Sequence, residues 1–331
     1  SHTDAETMLR ALARVCRSGP APRFEAVAQR SHSGLASPTE LRELVEGVDA
    51  FLWDCDGVLW HGSRPIDGAA EALAALRALG KRCLFVTNSA SRSRETIAAK
   101  LNALGLGGEA SEVYSSAYAA AAHLKALSFD RKAFLVSMKG LEEELRAAGI
   151  RTVGGEGYAA LTAEGRLPSE AEAHAVELDA DVGAVVASFD ANFTYAKLAH
   201  AALLLRYNRD CAFIATNLDA SANDTNGRLC PGGGALVSAI ATASGREPTV
   251  VGKPSQTFLQ LVLQEHNLSP ARTCMVGDRA DTDVEFGNAG GLRTLLVLSG
   301  VTARGDVAGL PDHQRPSHVC PSVADLARAL E

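Results

Sequence analysis

No apolar run in this chain approaches the roughly 18 to 20 residues that a bilayer-spanning helix needs, so a membrane protein is not expected. Excess positive charge is missing too: 32 Lys and Arg stand against 39 Asp and Glu, a net charge of −7. Broad attraction to nucleic acid or anionic lipid is thereby argued against, and no basic stripe or heptad run points to a nucleic-acid or coiled-coil partner. The seven cysteines form neither a CxxC pair nor an even set, and several lie in apolar, strand-like runs; they read as reduced thiols of an intracellular protein.

What is present is an ordinary globular composition, 47% hydrophobic and 21% charged over 331 residues, long enough for a core and a smaller inserted lobe. The N-terminal extension, residues 1–47, opens differently. From Met8 to Ser37 it is rich in Arg, Ser and Ala with a single acid, which fits either an organellar transit segment or an amphipathic helix, Ala5 to Val15, packed on the body. Cytoplasmic and organellar locations (stroma or matrix) both stay open. Ser37-Pro38-Thr39-Glu40 predicts a helix start with Ser37 or Thr39 as cap.

From residue 48 onward, short apolar runs alternate with helical patterns. "FLWD", "RCLFVTNS" and "KAFLVSM" read as strands, and "DGAAEALAALRALG" and "SRETIAAKLNALGL" as helices. This alternation predicts an α/β fold: a doubly wound, Rossmann-like parallel sheet with helices on both faces. A second passage of the same grammar begins near Asp181, and "PTVVGKPS", "ARTCMVGDRADTD" and "RTLLVLSG" follow. The spacing from Thr87 to Lys253 far exceeds a crossover helix. It predicts an α/β cap over residues 131–247 inserted between core segments 48–130 and 248–331. "CPGGGALVSAI" lacks the spacing of a nucleotide-binding loop and reads as a turn within the cap.

The apolar strands end in polar clusters: Asp54 with Asp56, Thr87 with Asn88, Lys253, and Asp278 with Asp281 and Asp283. In open parallel sheets such ends converge on one crevice. Buried carboxylates need a positive partner, and a hard divalent cation such as Mg²⁺, with Lys253, supplies it. Cys55 alternates with Asp54 and Asp56, faces the other side of its strand, and reads as a core residue.

"DCDGV", "FVTNS", "GKPS" and "GDRADTD", in this order, resemble the four motifs of the haloacid dehalogenase superfamily. "ASFDANFTYAKL", "FIATNLD" and "VGDRADTDVEFGNAGGLRTLLVLSGVT" extend the resemblance to its C2-capped branch of 4-nitrophenyl, phosphoglycolate and pyridoxal phosphatases. The resemblance implies a Mg²⁺-dependent phosphomonoesterase. In it Asp54 is the nucleophile that forms an aspartyl-phosphate, and Asp56 is the general acid and then base. Gly57, Thr87, Asn88, Ser89 and Lys253 would serve the phosphate. Asp54, Asp278 and the Asp56 carbonyl would ligate the metal, with Asp283 behind them or as a ligand through water.

One departure stands out: where the branch commonly reads "TNNSxxSR", this chain reads "TNSASRSR", so Ser89 and Ala90 are changed while Ser93 and Arg94 remain. Asn217 and Asp219 in the cap read equally as substrate contacts and as an Asx turn, and Arg228 as a partner for a substrate carboxylate or a surface charge. The expected substrate is a small phosphorylated metabolite, first 2-phosphoglycolate, because the loop after Asp219 offers no aromatic platform; pyridoxal 5′-phosphate is the alternative. A receiver-like switch without enzymatic activity is a minor third reading. Capped relatives imply a homodimer through the cap.

Overall fold

Fifteen strands carry the architecture of the described residues, 34–161, 169–223 and 228–331, in this computed structural model. The transit-like segment, the helix expected at Ala5 to Val15 and Cys16 lie outside them. In chain order the strands are β1 (Ala50–Trp53), β2 (Trp60–His61), β3 (Arg64–Pro65), β4 (Arg82–Thr87), β5 (Val113–Ser115), β6 (Lys132–Val136), β7 (Arg151–Gly154) and β8 (Val182–Ala187). They continue as β9 (Ala212–Ala215), β10 (Ser221–Asn223), β11 (Leu229–Pro231), β12 (Thr249–Val250), β13 (Thr273–Gly277), β14 (Arg293–Val297) and β15 (His318–Cys320).

Two parallel sheets result. The core sheet has the order β15-β14-β13-β1-β4-β5, which places β1 centrally between β13 and β4. A strand in that position is covered on both faces, and Ala50–Trp53 is buried throughout; the apolar run in the sequence follows from this. Its side chains divide by parity. Phe51, Trp53 and Cys55 join Phe85, Val276 and the helices Pro38–Glu46, Ala69–Ala78 and Val323–Leu330 in one cluster, whereas Leu52 joins Leu84, Val86 and Met275 in another. Asp54 and Asp56 continue the parity of Leu52.

The second sheet, β12-β9-β8-β6-β7, is also parallel. Phe134, Val136, Val185, Ala187 and Phe213 face the helices Tyr195–Tyr207 and Gly233–Ser244. Ala133, Leu135, Val186 and Ile214 face the opposite way. They share a cluster with the core residues Leu52, Leu84 and Val86 through the helices Ser116–Ala126 and Lys139–Ala147. Cap and core are thus joined by continuous apolar packing.

Two expected divisions shift. Thr249–Val250 pairs with Ile214–Ala215 of the second sheet, so "PTVVGKPS" ends a cap strand, and a border at 247/248 cuts ahead of it. Two paired residues left no periodicity to reveal their sheet. The border at 47/48 likewise separates a helix from the core it covers: Leu41, Leu44 and Val45 pack with Phe51 and Trp53. Of the two expected caps, Ser37 is the one used, its N–H donating to Glu40 Oε2 at 2.7 Å and its Oγ accepting from Glu40 N at 3.3 Å.

Candidate active site

The core strands β1, β4 and β13 end side by side, and the turn after β12 reaches them from the cap. Asp54, Thr87, Lys253, Asp278 and Asp283 therefore line one cavity of about 410 Å³ between core and cap. Lys253 is buried and spends all three ammonium protons there: on Asp54 Oδ1 at 2.6 Å, Asp283 Oδ1 at 2.7 Å and the Val86 carbonyl at 2.8 Å. The other oxygen of Asp283 accepts the backbone N–H groups of Asp278 and Arg279 at 3.2 and 3.1 Å. Asp278 Oδ2 accepts from Val301 N at 2.7 Å. Gly57, at φ +90, passes so close to Asp278 that a Cβ there would lie 2.6 Å from Oδ2. This turn accepts no other residue without strain.

The electrostatics are unbalanced. Burial pushes the Asp54 carboxyl well above the usual range; Lys253 pulls it back, and Asp283 and Asp278 push it further. Asp278 is raised to about 7, again by burial first and by Asp283 second. Burial would lower Lys253, but Asp283 and Asp54 outweigh it and the net shift is upward. Three buried carboxylates thus have an oxygen each within 4.8 Å of the others, and the one ammonium group among them pairs with only two, Asp54 and Asp283. Hard anionic oxygens gathered beside a cavity, with one cation too few, fit a divalent cation such as Mg²⁺. Asp281, grouped with them in sequence, instead turns to solvent and pairs with Arg279 at 2.9 Å.

Asn88 ties the site together. Its Oδ1 accepts Lys253 N at 2.7 Å, its Nδ2 donates to the Lys253 carbonyl at 3.1 Å and faces both oxygens of Asp219 at 3.3 Å, and its carbonyl accepts Asn217 Nδ2 at 2.8 Å. Asn217 also caps its own turn by accepting Asp219 N at 3.1 Å; the Asx turn and the cavity-lining position coexist. Burial raises the Asp219 pKa, with Arg279 and Lys253 opposing. Ser89 lines the cavity, and its N–H donates to Thr87 Oγ1 at 3.1 Å. The glycines of "CPGGG" allow close approach: a Cβ on Gly232 or Gly234 would fall 2.2 Å from the Asp219 carbonyl or 2.3 Å from that of Leu218.

Several functional neighbours escaped the sequence reading. Ser116 Oγ donates to the Asn88 carbonyl at 2.6 Å, from a helix start with no motif of its own. Arg92, Arg279, Met138 and Phe189 line the cavity, and Arg279 Nη1 crosses to the cap at the Ser221 carbonyl, 3.1 Å away. Arg228, in contrast, is exposed and outside the cavity lining. Asp56 is exposed at the cavity edge and accepts Trp60 Nε1–H at 2.8 Å.

Comparison with known proteins agrees with this geometry. Residues 51–151 match the family described as haloacid dehalogenase-like hydrolase, and residues 250–326 match a second, HAD-hydrolase-like description. The chain is 42% identical over 264 residues to phosphoglycolate phosphatase 1A, chloroplastic, of Arabidopsis thaliana, covering 79% of this chain and 71% of that protein. It is equally 42% identical over 299 residues to glycerol-3-phosphate phosphatase of Gallus gallus, covering 88% and 94%. The glycerol phosphate phosphatase of Mycobacterium tuberculosis, solved with magnesium and also with calcium, superposes with a TM-score of 0.71 in the magnesium complex. Identity there is 31%, over 86% of this chain and 77% of that one. With a parallel core sheet, an inserted α/β cap and a buried acidic cluster between them, the chain belongs to the haloacid dehalogenase-like hydrolases and is a phosphoric monoester hydrolase.

Proposed function

We propose that this enzyme is a Mg²⁺-dependent phosphatase of small phosphorylated metabolites, with 2-phosphoglycolate as first substrate, acting through an aspartyl-phosphate on Asp54. The observation that carries the reading is the Asp54–Lys253–Asp283 chain of short ion pairs beside Asp278 at the floor of the cavity.

In the first half-reaction an Asp54 oxygen bonds to phosphorus as the ester P–O bond breaks, and the leaving oxygen takes a proton from Asp56. In the second, a water gives a proton to Asp56 and attacks phosphorus, releasing inorganic phosphate and the Asp54 carboxylate. Asp54, Asp278 and the Asp56 carbonyl would hold Mg²⁺, with Asp283 behind them. Bound there, the ion would neutralise phosphoryl oxygens so that a carboxylate and a phosphate dianion can approach. Lys253 holds Asp54 and Asp283 in register, and the Thr87 hydroxyl offers the transferring group a hydrogen bond.

The modest cavity and the Arg92 side chain on its wall favour a short substrate with a second anionic group. The relatives named phosphoglycolate phosphatase agree, while those named glycerol-3-phosphate phosphatase are as similar. Phe189 supports the second reading, pyridoxal 5′-phosphate, since it brings to the cavity the aromatic surface that the loop after Asp219 lacks.

Turnover of 2-phosphoglycolate, glycerol 3-phosphate, pyridoxal 5′-phosphate and 4-nitrophenyl phosphate by the purified enzyme decides the order, with Asp54→Asn as control. We expect the highest kcat/KM on 2-phosphoglycolate and no turnover of any ester by the variant. Pyridoxal phosphate far ahead would reverse the order, and an active Asp54→Asn enzyme would remove the nucleophile.

A further inference from the structure

Trp60 has no part in the chemistry above, yet it makes a direct polar contact to an assigned catalytic group. Its indole Nε1–H donates to Asp56 Oδ1 at 2.8 Å. The ring is buried, and Lys100 Nζ sits over it, 3.9 Å from the centroid. Backbone bonds enforce the pairing. The Cys55 carbonyl accepts the N–H groups of Leu59 at 2.8 Å and Trp60 at 3.2 Å, and Gly57 N donates to the Trp60 carbonyl at 2.9 Å. The chain thereby coils back until residue 60 lies beside residue 56.

The physical need is specific. Asp56 is exposed on a loop, where a short carboxylate otherwise samples several rotamers. An indole nitrogen is a donor only, so it engages one carboxyl oxygen and leaves the second for other work. The indole in turn is held by its burial and by the cation over its face. Resting on the reading of Asp56 as proton donor, we propose that Trp60 is a positioning residue. It orients the Asp56 carboxyl so that the second oxygen faces the leaving group, and Lys100 steadies the indole that does so.

A purely structural tryptophan and a positioning one differ in leaving-group dependence. An alkoxide must be protonated as it departs, whereas 4-nitrophenolate leaves readily without a proton, and kcat/KM reports only the steps through alcohol release. Trp60→Phe leaves an aromatic ring, smaller than the indole, for Lys100 to cover and removes the N–H. Because general acid catalysis contributes about 10²- to 10⁴-fold, its kcat/KM on glycerol 3-phosphate or 2-phosphoglycolate should fall at least about tenfold. The fall on 4-nitrophenyl phosphate should stay within about threefold. Lys100→Met, which leaves Trp60 in place, should shift the same alkyl-to-aryl ratio in the same direction by a smaller factor; it carries the test if Trp60→Phe does not fold.

Equal losses on both esters, or an unchanged ratio in the folded variants, would overturn the assignment. Asp56→Asn separates the two readings. If it strikes the alkyl esters selectively while Trp60→Phe does not, only the role of Trp60 falls; if it retains full alkyl-ester turnover, the proton-donor reading of Asp56 falls and Trp60 with it.

Discussion

His200 shows at the residue scale how burial writes a pH dependence into the cap. Its ring lies 4.4 Å from that of Phe134 and 6.0 Å from that of Tyr158, and neither nitrogen has a hydrogen-bond partner among the described residues. Burial lowers its pKa from 6.5 to about 4. The unfolded chain therefore binds the proton first as pH falls. The stability that His200 contributes is complete above 6.5, declines between 6.5 and 4, and is lost below, a total of about 3 kcal/mol. His200→Leu should remove that decline. In urea unfolding from pH 8 to 4, the stability difference, variant minus wild type, should stay level down to about pH 6.5 and then grow as the medium is acidified further. A difference independent of pH would show that His200 titrates alike in the folded and unfolded chains.

At the scale of elements, the end of β4, the turn after β12 and the cap loop Asn217–Asp219 converge on one amide. Asn88→Ala leaves the Lys253 N–H and its carbonyl without their partner and frees Asp219. A loss of about 1–3 kcal/mol is expected from the buried groups left unpaired, and a lower kcat as Lys253 and the cap loop lose their common tie. Asn88→Asp keeps the acceptor for Lys253 N but faces Asp219 with a second carboxylate, so it should be the more damaged in activity. Thermal unfolding with kcat/KM on 4-nitrophenyl phosphate measures both, and wild-type behaviour of Asn88→Ala would contradict this account.

The motifs displayed Asn88 as part of "FVTNS" but not its function as a tie, because its partners come from the turn after β12 and from the cap loop Asn217–Asp219. Ser116 is the plainer case. Nothing around "SSAYAAAAHL" marks it, and only the adjacency of β4 and β5 brings its hydroxyl to the Asn88 carbonyl.

For the whole molecule, the dominant fact is three buried carboxylates gathered round one ammonium group, which pairs with two of them, between two packed lobes. A cation that binds the folded site and not the unfolded chain stabilises by mass action, about 2.7 kcal/mol at a hundred times its Kd. Mg²⁺ should therefore raise the melting temperature by several degrees over the EDTA-treated enzyme, and Asp278→Asn should blunt the rise. A melting temperature indifferent to Mg²⁺ would mean that the cluster holds no ion. The apolar cluster that runs from Leu52 and Leu84 to Leu135 and Val186 predicts one cooperative transition for core and cap together.

By itself the sequence determined the strand ends and their chemistry. An apolar run that closes on an acid, a Thr-Asn, a Lys or a GDxxxTD pattern is a local signal, because burial on both faces leaves polar residues only where the strand stops. It also announced an inserted lobe, since the motifs stand too far apart for one crossover. What only the tertiary structure decided were the relations between those ends. It put Lys253 on the turn after a strand of the cap sheet, not of the core sheet, turned Asp281 to solvent, set Phe189 and Arg92 on the cavity wall in place of Arg228, and brought Trp60 onto Asp56. Such relations depend on which segments become neighbours in space, and no spacing along the chain encodes a contact formed by packing two sheets around a shared core.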